Sequence, residues 1–219
     1  MMRQYWLVII STMTLLSCGS PSAEQSGIEN YLQAKKLFWG TLYKKGGETL
    51  YCGQRFDHSK GQRINVEHVL PMSWVTKSLN CRDRDSCRRN NARFRHIEAD
   101  LHNLYPSLRD INQTRGSFPF GIINGEERHF GSCDFEFNLQ KRIVEPRPEV
   151  RGDIARAMMY MHDRYAIRIH ARQGQLLKQW NRQDPPDRVE RKRNDVIESL
   201  QGNRNRFIDK PSEADRLRF

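Results

Sequence analysis

The chain has 219 residues and a formal net charge of +11, with 37 lysine and arginine residues against 26 aspartate and glutamate residues. This length suits one domain with short appendages rather than several domains, and the mean hydropathy of −0.81 is that of a chain that is soluble once processed rather than embedded in a membrane. The positive field attracts polyanions, so we expect an anionic partner.

The N-terminal residues have the features of an export signal. Residues 6–16 are largely apolar, but this run is too short to span a bilayer and is typical of a signal peptide. It ends where the sequence resembles a bacterial lipobox, so we expect a signal peptide over residues 1–17, a lipidated Cys18 and a tether over residues 18–27. The expected location is the periplasm, or the outer membrane for a lipoprotein, with membrane contact only through the lipid. Ordinary cleavage nearby, with secretion, is one alternative, and a buried N-terminal strand is another.

The cysteine content agrees with export. Besides Cys18, the chain has an even number of cysteines in a compartment that permits disulfides, namely Cys52, Cys81, Cys87 and Cys133. Four cysteines allow three pairings. Cys81 and Cys87 are close enough in sequence to close a short loop, which leaves Cys52 for Cys133. A zinc site is the rival interpretation, but the sequence has neither a C-x-x-C nor an H-E-x-x-H motif.

Hydrophobic periodicity predicts a mixture of helices and strands after the tether. The predicted elements of the first part are a helix from residue 28 to the Gly46-Gly47 pair, a short strand over residues 50–52, a polar loop over 53–62, and a strand over 64–70 that Pro71 closes. Residues 77–96 are polar and basic. The remaining predictions are a helix over 106–116 with its proline first and its glycine last, strands and turns over 118–137 with a hairpin turn at Asn124-Gly125, helices over 151–168, 176–180 and 188–200, and a frayed tail over 203–219.

Two separated stretches carry residues suited to one kind of chemistry. Glu67 and His68 are adjacent near the end of a predicted strand, and Asn112 lies on a predicted helix. Carboxylate and amide oxygens suit a hard cation such as Mg²⁺, and an imidazole suits a general base, so the three fit metal-assisted hydrolysis of a phosphodiester. The alternative is a surface glutamate beside a hydrogen-bonded histidine. Because consecutive strand residues point to opposite faces, Glu67 and His68 can serve one site only if the strand ends or bulges there.

Six arginines lie between residues 82 and 95. A solvated loop and helix start is the usual fate of such a charge run. Beside a site for phosphodiester chemistry, phosphate binding becomes the favoured interpretation.

Several separated motifs occur in order between about residue 51 and about residue 208. They are VEHVLP at 66–71, EADLHNL at 98–104, INQTR at 111–115, EP at 145–146, RGDIAR at 151–156, YMHDRY at 160–165 and QGNRN at 201–205. In this combination the chain resembles the bacterial endonuclease I family, which comprises periplasmic or secreted nonspecific nucleases of the ββα-metal (His-Me finger) class. The resemblance implies a mixed α+β single domain over residues 28–219, built around that motif.

The resemblance also implies roles for individual residues. His68 is expected to be the general base, Glu67 and Asn112 the two protein ligands of one Mg²⁺ ion, with Ca²⁺ or Mn²⁺ as alternatives, and Arg84 the residue that meets the scissile phosphate. Glu98 corresponds to a second acidic residue near the site, and its alternative role is a structural acceptor for the basic segment.

The implied activity is hydrolysis of DNA, and also of RNA, to 5′-phosphate ends by a monomer. His102 and Asn103 are expected to hold their motif together. The chain departs from many members of the family in having fewer cysteines. A noncatalytic nucleic-acid-binding lipoprotein on the same fold is the alternative function.

Overall fold

The computed structural model describes residues 27–125 and 128–219. The predicted signal peptide, Cys18 and all but the last residue of the predicted tether lie outside these ranges. The helices are α1 (Tyr31–Leu37), α2 (Met72–Ser78), α3 (Arg84–Asn90), α4 (Ala92–Ala99), α5 (Arg109–Arg115), α6 (Arg151–Tyr165), α7 (Ala171–Gln183), α8 (Arg188–Gln201) and α9 (Arg206–Asp209). The strands are β1 (Gly47–Glu48), β2 (Arg55–Phe56), β3 (Ile64–His68), β4 (Leu104–Leu108), β5 (Phe135–Asn138) and β6 (Ile143–Pro146), paired antiparallel as β1–β2, β3–β4 and β5–β6.

The unit that positions the site consists of β3, β4 and α5. The register of β3 and β4 is regular from Ile64 opposite Leu108 to His68 opposite Leu104. α5 follows β4 directly, and it packs against both strands. α5 ends at Gly116, whose N–H donates to the main-chain carbonyl of Asn112. Gly116 has φ +51°, which glycine adopts without a steric penalty. This ββα unit among helices confirms the predicted mixed α+β class.

α6 runs through the core because its apolar side chains recur at helical spacing. Met158, Met159 and Met161 are fully buried, and the helix packs against α7. His162, on the same helix, contacts the carbonyl oxygens of Ile167 and Arg218 at 2.8 and 2.9 Å. His162 is therefore a packed, hydrogen-bonded histidine.

A second, smaller core lies beneath α1. Asn30 caps the helix by accepting a hydrogen bond from the N–H of Gln33, which satisfies one of the free donors of the first turn. Ala34 and Phe38 are buried against Leu101, and α1 packs on α4. The N-terminal turn of α1 is thereby brought beside the end of β3.

The predicted helix over residues 106–116 is wrong in its first part. Pro106 lies in β4, opposite Val66, and the helix begins only at Arg109. Proline is tolerated in this two-stranded pair because it lacks only the main-chain N–H. Its carbonyl is still an acceptor, and it takes the N–H of Leu50 at 2.8 Å. Residues 50–52 form a turn instead of the predicted strand, because the N–H of Gly53 bonds back to the carbonyl of Thr49 at 2.9 Å.

The basic segment, for which a loop and helix start was the alternative to phosphate binding, folds into α3 and α4, with N-terminal caps from Asp83 and Asn91. Two further predictions are corrected. The hairpin in this part of the described chain is β5–β6, and Asn124 and Gly125 lie in an irregular stretch without strands beside it. The tail does not fray, because α9 and the 3₁₀ turn Pro211–Arg216 bury Phe207 against the core.

Both predicted disulfides are present. Cys52 is bonded to Cys133, and Cys81 to Cys87. All four sulfurs are therefore unavailable as zinc ligands. In the described ranges, no helix is both long and apolar enough to cross a membrane.

Candidate active site

A groove of about 920 Å³ opens over the end of β3 and the start of the basic helices. Its lining brings together four residues predicted for the site, namely Glu67, His68, Arg84 and Asn112. β3 ends at His68, and the regular register up to that residue shows a strand end rather than a bulge. Glu67 and His68 point to opposite sides of the strand, yet both border the groove because the strand stops there.

On one side of the strand, Glu67 is held by two residues. Its Oε1 accepts a hydrogen bond of 2.7 Å from the Tyr51 hydroxyl and lies 3.5 Å from Nε of Arg115. Burial raises the pKa of Glu67, while the Arg115 charge and the Tyr51 hydrogen bond oppose that rise. Because Tyr51 and Arg115 both contact Oε1, Oε2 is the oxygen better placed for a ligand.

On the other side, His68 is fixed through one ring nitrogen. Its Nε2 lies 3.0 Å from the main-chain oxygen of Glu98. A carbonyl can only accept, so Nε2 carries the proton and Nδ1 keeps a free lone pair. Burial, together with the Arg84 charge, lowers the pKa of His68 to about 4. The imidazole is consequently neutral at physiological pH and able to take up a proton at Nδ1.

Glu98 also organises the arginines. Its carboxylate, only 2% exposed, accepts Nε of Arg84 at 2.6 Å and Nε of Arg88 at 2.9 and 3.0 Å. Burial alone would raise the pKa of Glu98, but the hydrogen bonds and charges of Arg88 and Arg84 lower it. Its side chain is thus the structural acceptor that the sequence offered as an alternative.

The two arginines differ in what they leave free. Arg88 also reaches Asp85 at 3.2 Å, so both of its terminal nitrogens are engaged. Arg84 donates only through Nε in the described structure, its side chain is 42% exposed, and it lines the groove. Arg93 and Arg95 bond to main-chain carbonyls. Among the described residues, Arg82 also lines the groove and donates only through Nε, but its partner is the exposed Asp83. Arg84 combines free terminal nitrogens with an anchor on the buried Glu98, so it is the arginine of this segment best placed to meet a phosphate.

Asn112 offers a second oxygen. Its Nδ2 lies 2.9 Å from Oδ1 of Asn65 and 3.2 Å from the carbonyl of Val66. Because that carbonyl can only accept, the amide is oriented with its nitrogen toward β3. Its Oδ1 has no hydrogen-bond partner among the described residues. A carboxylate oxygen and an amide oxygen form a hard donor pair, which fits Mg²⁺ or Ca²⁺ completed by water.

Some residues of the site were not predicted from the sequence. Arg115 lies three positions after Asn112 on α5, and this spacing places both on one helix face. The sequence could therefore have indicated Arg115 as a residue of the site. Arg115 is fully buried and also donates to the carbonyl of Val69 at 2.5 Å. No spacing in the sequence indicates Tyr51, because it lies in a separate turn and reaches Glu67 only in the folded structure.

His102 and Asn103, which were expected to hold the EADLHNL motif together, make hydrogen-bond contacts with main-chain groups. The Asn103 side chain accepts the N–H of Leu70 at 2.7 Å and donates to its carbonyl at 3.0 Å. Nε2 of His102 contacts the carbonyl of Asn203 at 3.1 Å. Asn103 thus holds the main chain just after β3, and His102 ties the motif to the C-terminal segment.

Comparison with known proteins places this fold and site in context. The endonuclease I family model matches residues 14–212. An extracellular deoxyribonuclease of Aeromonas hydrophila is 34% identical over 215 aligned residues, covering 87% of this chain and 93% of that protein. A periplasmic deoxyribonuclease of the same organism is 34% identical over 193 residues, covering 77% and 81%. An extracellular ribonuclease of Bacillus subtilis is 36% identical over 137 residues, covering 54% and 46%.

The mixed α+β fold, the basic groove and these matches define a nuclease. The chain belongs to the endonuclease I family.

Proposed function

We propose that this nuclease is a nonspecific, metal-dependent endonuclease that hydrolyses phosphodiester bonds in DNA, and also in RNA, to 5′-phosphate ends. The observation that carries the proposal is the content of one groove. It is lined by the His68 imidazole, whose Nδ1 makes no hydrogen bond in the described ranges, by the side-chain oxygens of Glu67 and Asn112, and by the terminal nitrogens of Arg84. Names of relatives that specify deoxyribonuclease and ribonuclease support both substrates.

His68 takes the proton from the attacking water. Nδ1 receives that proton, while the Nε2 hydrogen bond to Glu98 holds the ring and stabilises the imidazolium that forms. A general base that is neutral at the working pH needs no prior deprotonation.

Glu67 and Asn112 would hold one Mg²⁺, with Ca²⁺ or Mn²⁺ as alternatives. When bound, the ion supplies positive charge at the phosphate and the leaving oxygen. The Tyr51 and Arg115 contacts keep the Glu67 carboxylate pointed across the groove, so they orient the ligand before any metal arrives.

Arg84 donates from its terminal nitrogens to the phosphate while its Nε stays on Glu98. Its charge stabilises the negative charge that builds up on the phosphate in the transition state. Phosphate contacts carry no sequence information, which supports a nonspecific nuclease.

The N-terminal segment and the names of the extracellular and periplasmic relatives support export. Lipid on Cys18 is part of this proposal. Fatty-acid labelling of the wild type but not of Cys18→Ala is the expected result, and equal labelling would contradict it. The monomeric state stays a prediction from the sequence.

Plasmid nicking by the purified protein tests the proposed activity. We expect nicks and breaks with Mg²⁺, none with EDTA, and products that a ligase rejoins without prior phosphorylation, as 5′-phosphate and 3′-hydroxyl ends require. Glu67→Ala should need more Mg²⁺ for half-maximal rate. Protein that binds DNA with Mg²⁺ but never cuts it would favour the noncatalytic alternative.

A further inference from the structure

Tyr31, the first residue of α1, lies on the wall of the groove but has no part in the steps above. Its ring centroid is 5.1 Å from that of His68, with the ring planes at 43°. The Tyr31 hydroxyl makes no hydrogen bond in the described ranges of the chain. The ring, rather than the hydroxyl, is therefore the part of Tyr31 that engages the site.

In the described part of the chain, one hydrogen bond holds the His68 ring, and it leaves one rotation of the ring unrestrained. Cβ fixes one end of the imidazole, and the bond from Nε2 to Glu98 fixes the far side. Rotation about the line through these two points keeps that bond but swings Nδ1 away from its position in the groove. A second contact on the ring face is needed to stop this rotation.

Tyr31 supplies that contact and is itself held in place. The guanidinium carbons of Arg84 and Arg88 each lie 5.9 Å from the Tyr31 ring centroid, within the range of a cation–π interaction. Both guanidinium groups are tied to Glu98. Beneath Tyr31, Ala34 of α1 and Phe38 just after it are buried in one cluster with Ala99 of α4, and α1 packs on α4.

We propose that Tyr31 is a positioning residue for His68: its ring limits rotation of the imidazole and so keeps Nδ1 aimed into the groove. The inference rests on the proposed role of His68 as general base. It also gives α1, which precedes the ββα unit in the chain, a part in the reaction.

Two substitutions separate the ring from the hydroxyl. Tyr31→Phe keeps the ring and should keep the wild-type kcat. Tyr31→Leu keeps an apolar side chain but removes the flat ring, and kcat should fall roughly tenfold, within the range found for small displacements of reacting groups. Leu32→Ala, at an exposed neighbouring position on the same helix, is the control and should match the wild type. Thermal unfolding of each variant establishes that the rates refer to folded protein.

Single-turnover cleavage in a double-mutant cycle shows through which residue Tyr31 acts. Tyr31→Leu should lower the rate in the wild-type background but cause no further loss in His68→Ala, and DNA Kd should stay unchanged throughout. The same loss in both backgrounds would overturn the inference, since Tyr31 would then act elsewhere. So would a wild-type rate for Tyr31→Leu, or a loss in Tyr31→Phe equal to that in Tyr31→Leu. A wild-type rate for His68→Ala alone would overturn the base assignment, and the inference with it.

Discussion

The main-chain oxygen of Glu98 lies 3.0 Å from Nε2 of His68, while the carboxylate of Glu98 is 2.6 Å from Nε of Arg84. One residue at the end of α4 therefore positions the proposed base and the proposed phosphate contact through different atoms. The two functions can be separated by experiment, because a side-chain substitution leaves the carbonyl in place.

Glu98→Gln should disturb Arg84 without changing the tautomer of His68. Removing the charge from a buried acceptor of two arginines should lower the free energy of unfolding by roughly 1–3 kcal/mol. Cleavage should slow by up to roughly a hundredfold as Arg84 loses its anchor. Asp85→Asn, which removes an exposed partner of Arg88, is the matched control. Equal cleavage rates for Glu98→Gln and wild type would show that the carboxylate does not position Arg84.

Arg84→Ala should lower the cleavage rate by roughly 10²–10³, the usual cost of losing a donor that stabilises transition-state charge. Arg89→Ala, on the same helix and exposed, removes the same charge away from the groove lining. It should weaken DNA binding slightly through the general field and leave the rate of bound substrate unchanged. Identical rates for the two variants would mean that Arg84 contributes only charge.

The helices with strong apolar periodicity were predictable from the sequence. α8 ends one residue beyond its prediction, and α6 ends at Tyr165, three residues short, where Ala166 adopts φ +52°. Elements whose stability comes from tertiary contacts were not predictable. Pro106 has the local signature of a helix start but lies in a strand. Its neighbours in β4 pair with β3, and its own carbonyl accepts the N–H of Leu50.

The residues of the site also fall into those that the sequence predicts and those that only the fold reveals. Residue type and order are enough to propose Glu67, His68 and Asn112, because each contributes a chemical group. The residues that orient these groups are found only in the fold: Tyr51 and Tyr31 reach β3 from separate parts of the chain. Charge alone also could not show which arginine is free, since that depends on the ion pairs with Glu98.

The two disulfides should differ in their effects when replaced by serine pairs. Cys52 and Cys133 are 81 positions apart, and Cys81 and Cys87 are 6 apart. Chain entropy then gives stabilisations of about 4–5 and about 2 kcal/mol respectively. The short loop closed by Cys81 and Cys87 contains Arg84, the first residue of α3. Removing this disulfide should therefore lower the cleavage rate more, relative to the stability lost, than removing the other one. Denaturant unfolding and cleavage rates of both variants test this, and a larger loss of stability from the short loop would contradict it.

His102 should make folding stability fall in acid. Burial lowers the pKa of His102 to about 4, and no residue of the described ranges hydrogen-bonds its buried Nδ1, so an added proton would be unsatisfied. The unfolded chain takes up that proton near pH 6.5. The stabilisation is therefore complete above pH 6.5 and is lost as the pH falls toward 4.

His102→Gln removes one titrating group, so its unfolding free energy should depend less steeply on pH, by up to about 1.4 kcal/mol per pH unit. Denaturant unfolding between pH 7.5 and 4.5 in EDTA measures the slopes. His58→Gln, the same substitution at an exposed site, is the matched control. Parallel curves for His102→Gln and wild type would show that His102 has the same pKa in the folded and the unfolded protein.

The most direct test of the proposed mechanism is the single-turnover rate of plasmid cleavage by His68→Ala, with Mg²⁺ saturating and DNA Kd measured in parallel. The proposed base predicts a rate lower by roughly 10²–10⁴. It also predicts an unchanged DNA Kd and salt dependence, because lysine and arginine contacts to phosphate supply the affinity. Cleavage by His68→Ala at the wild-type rate would contradict this account of the site.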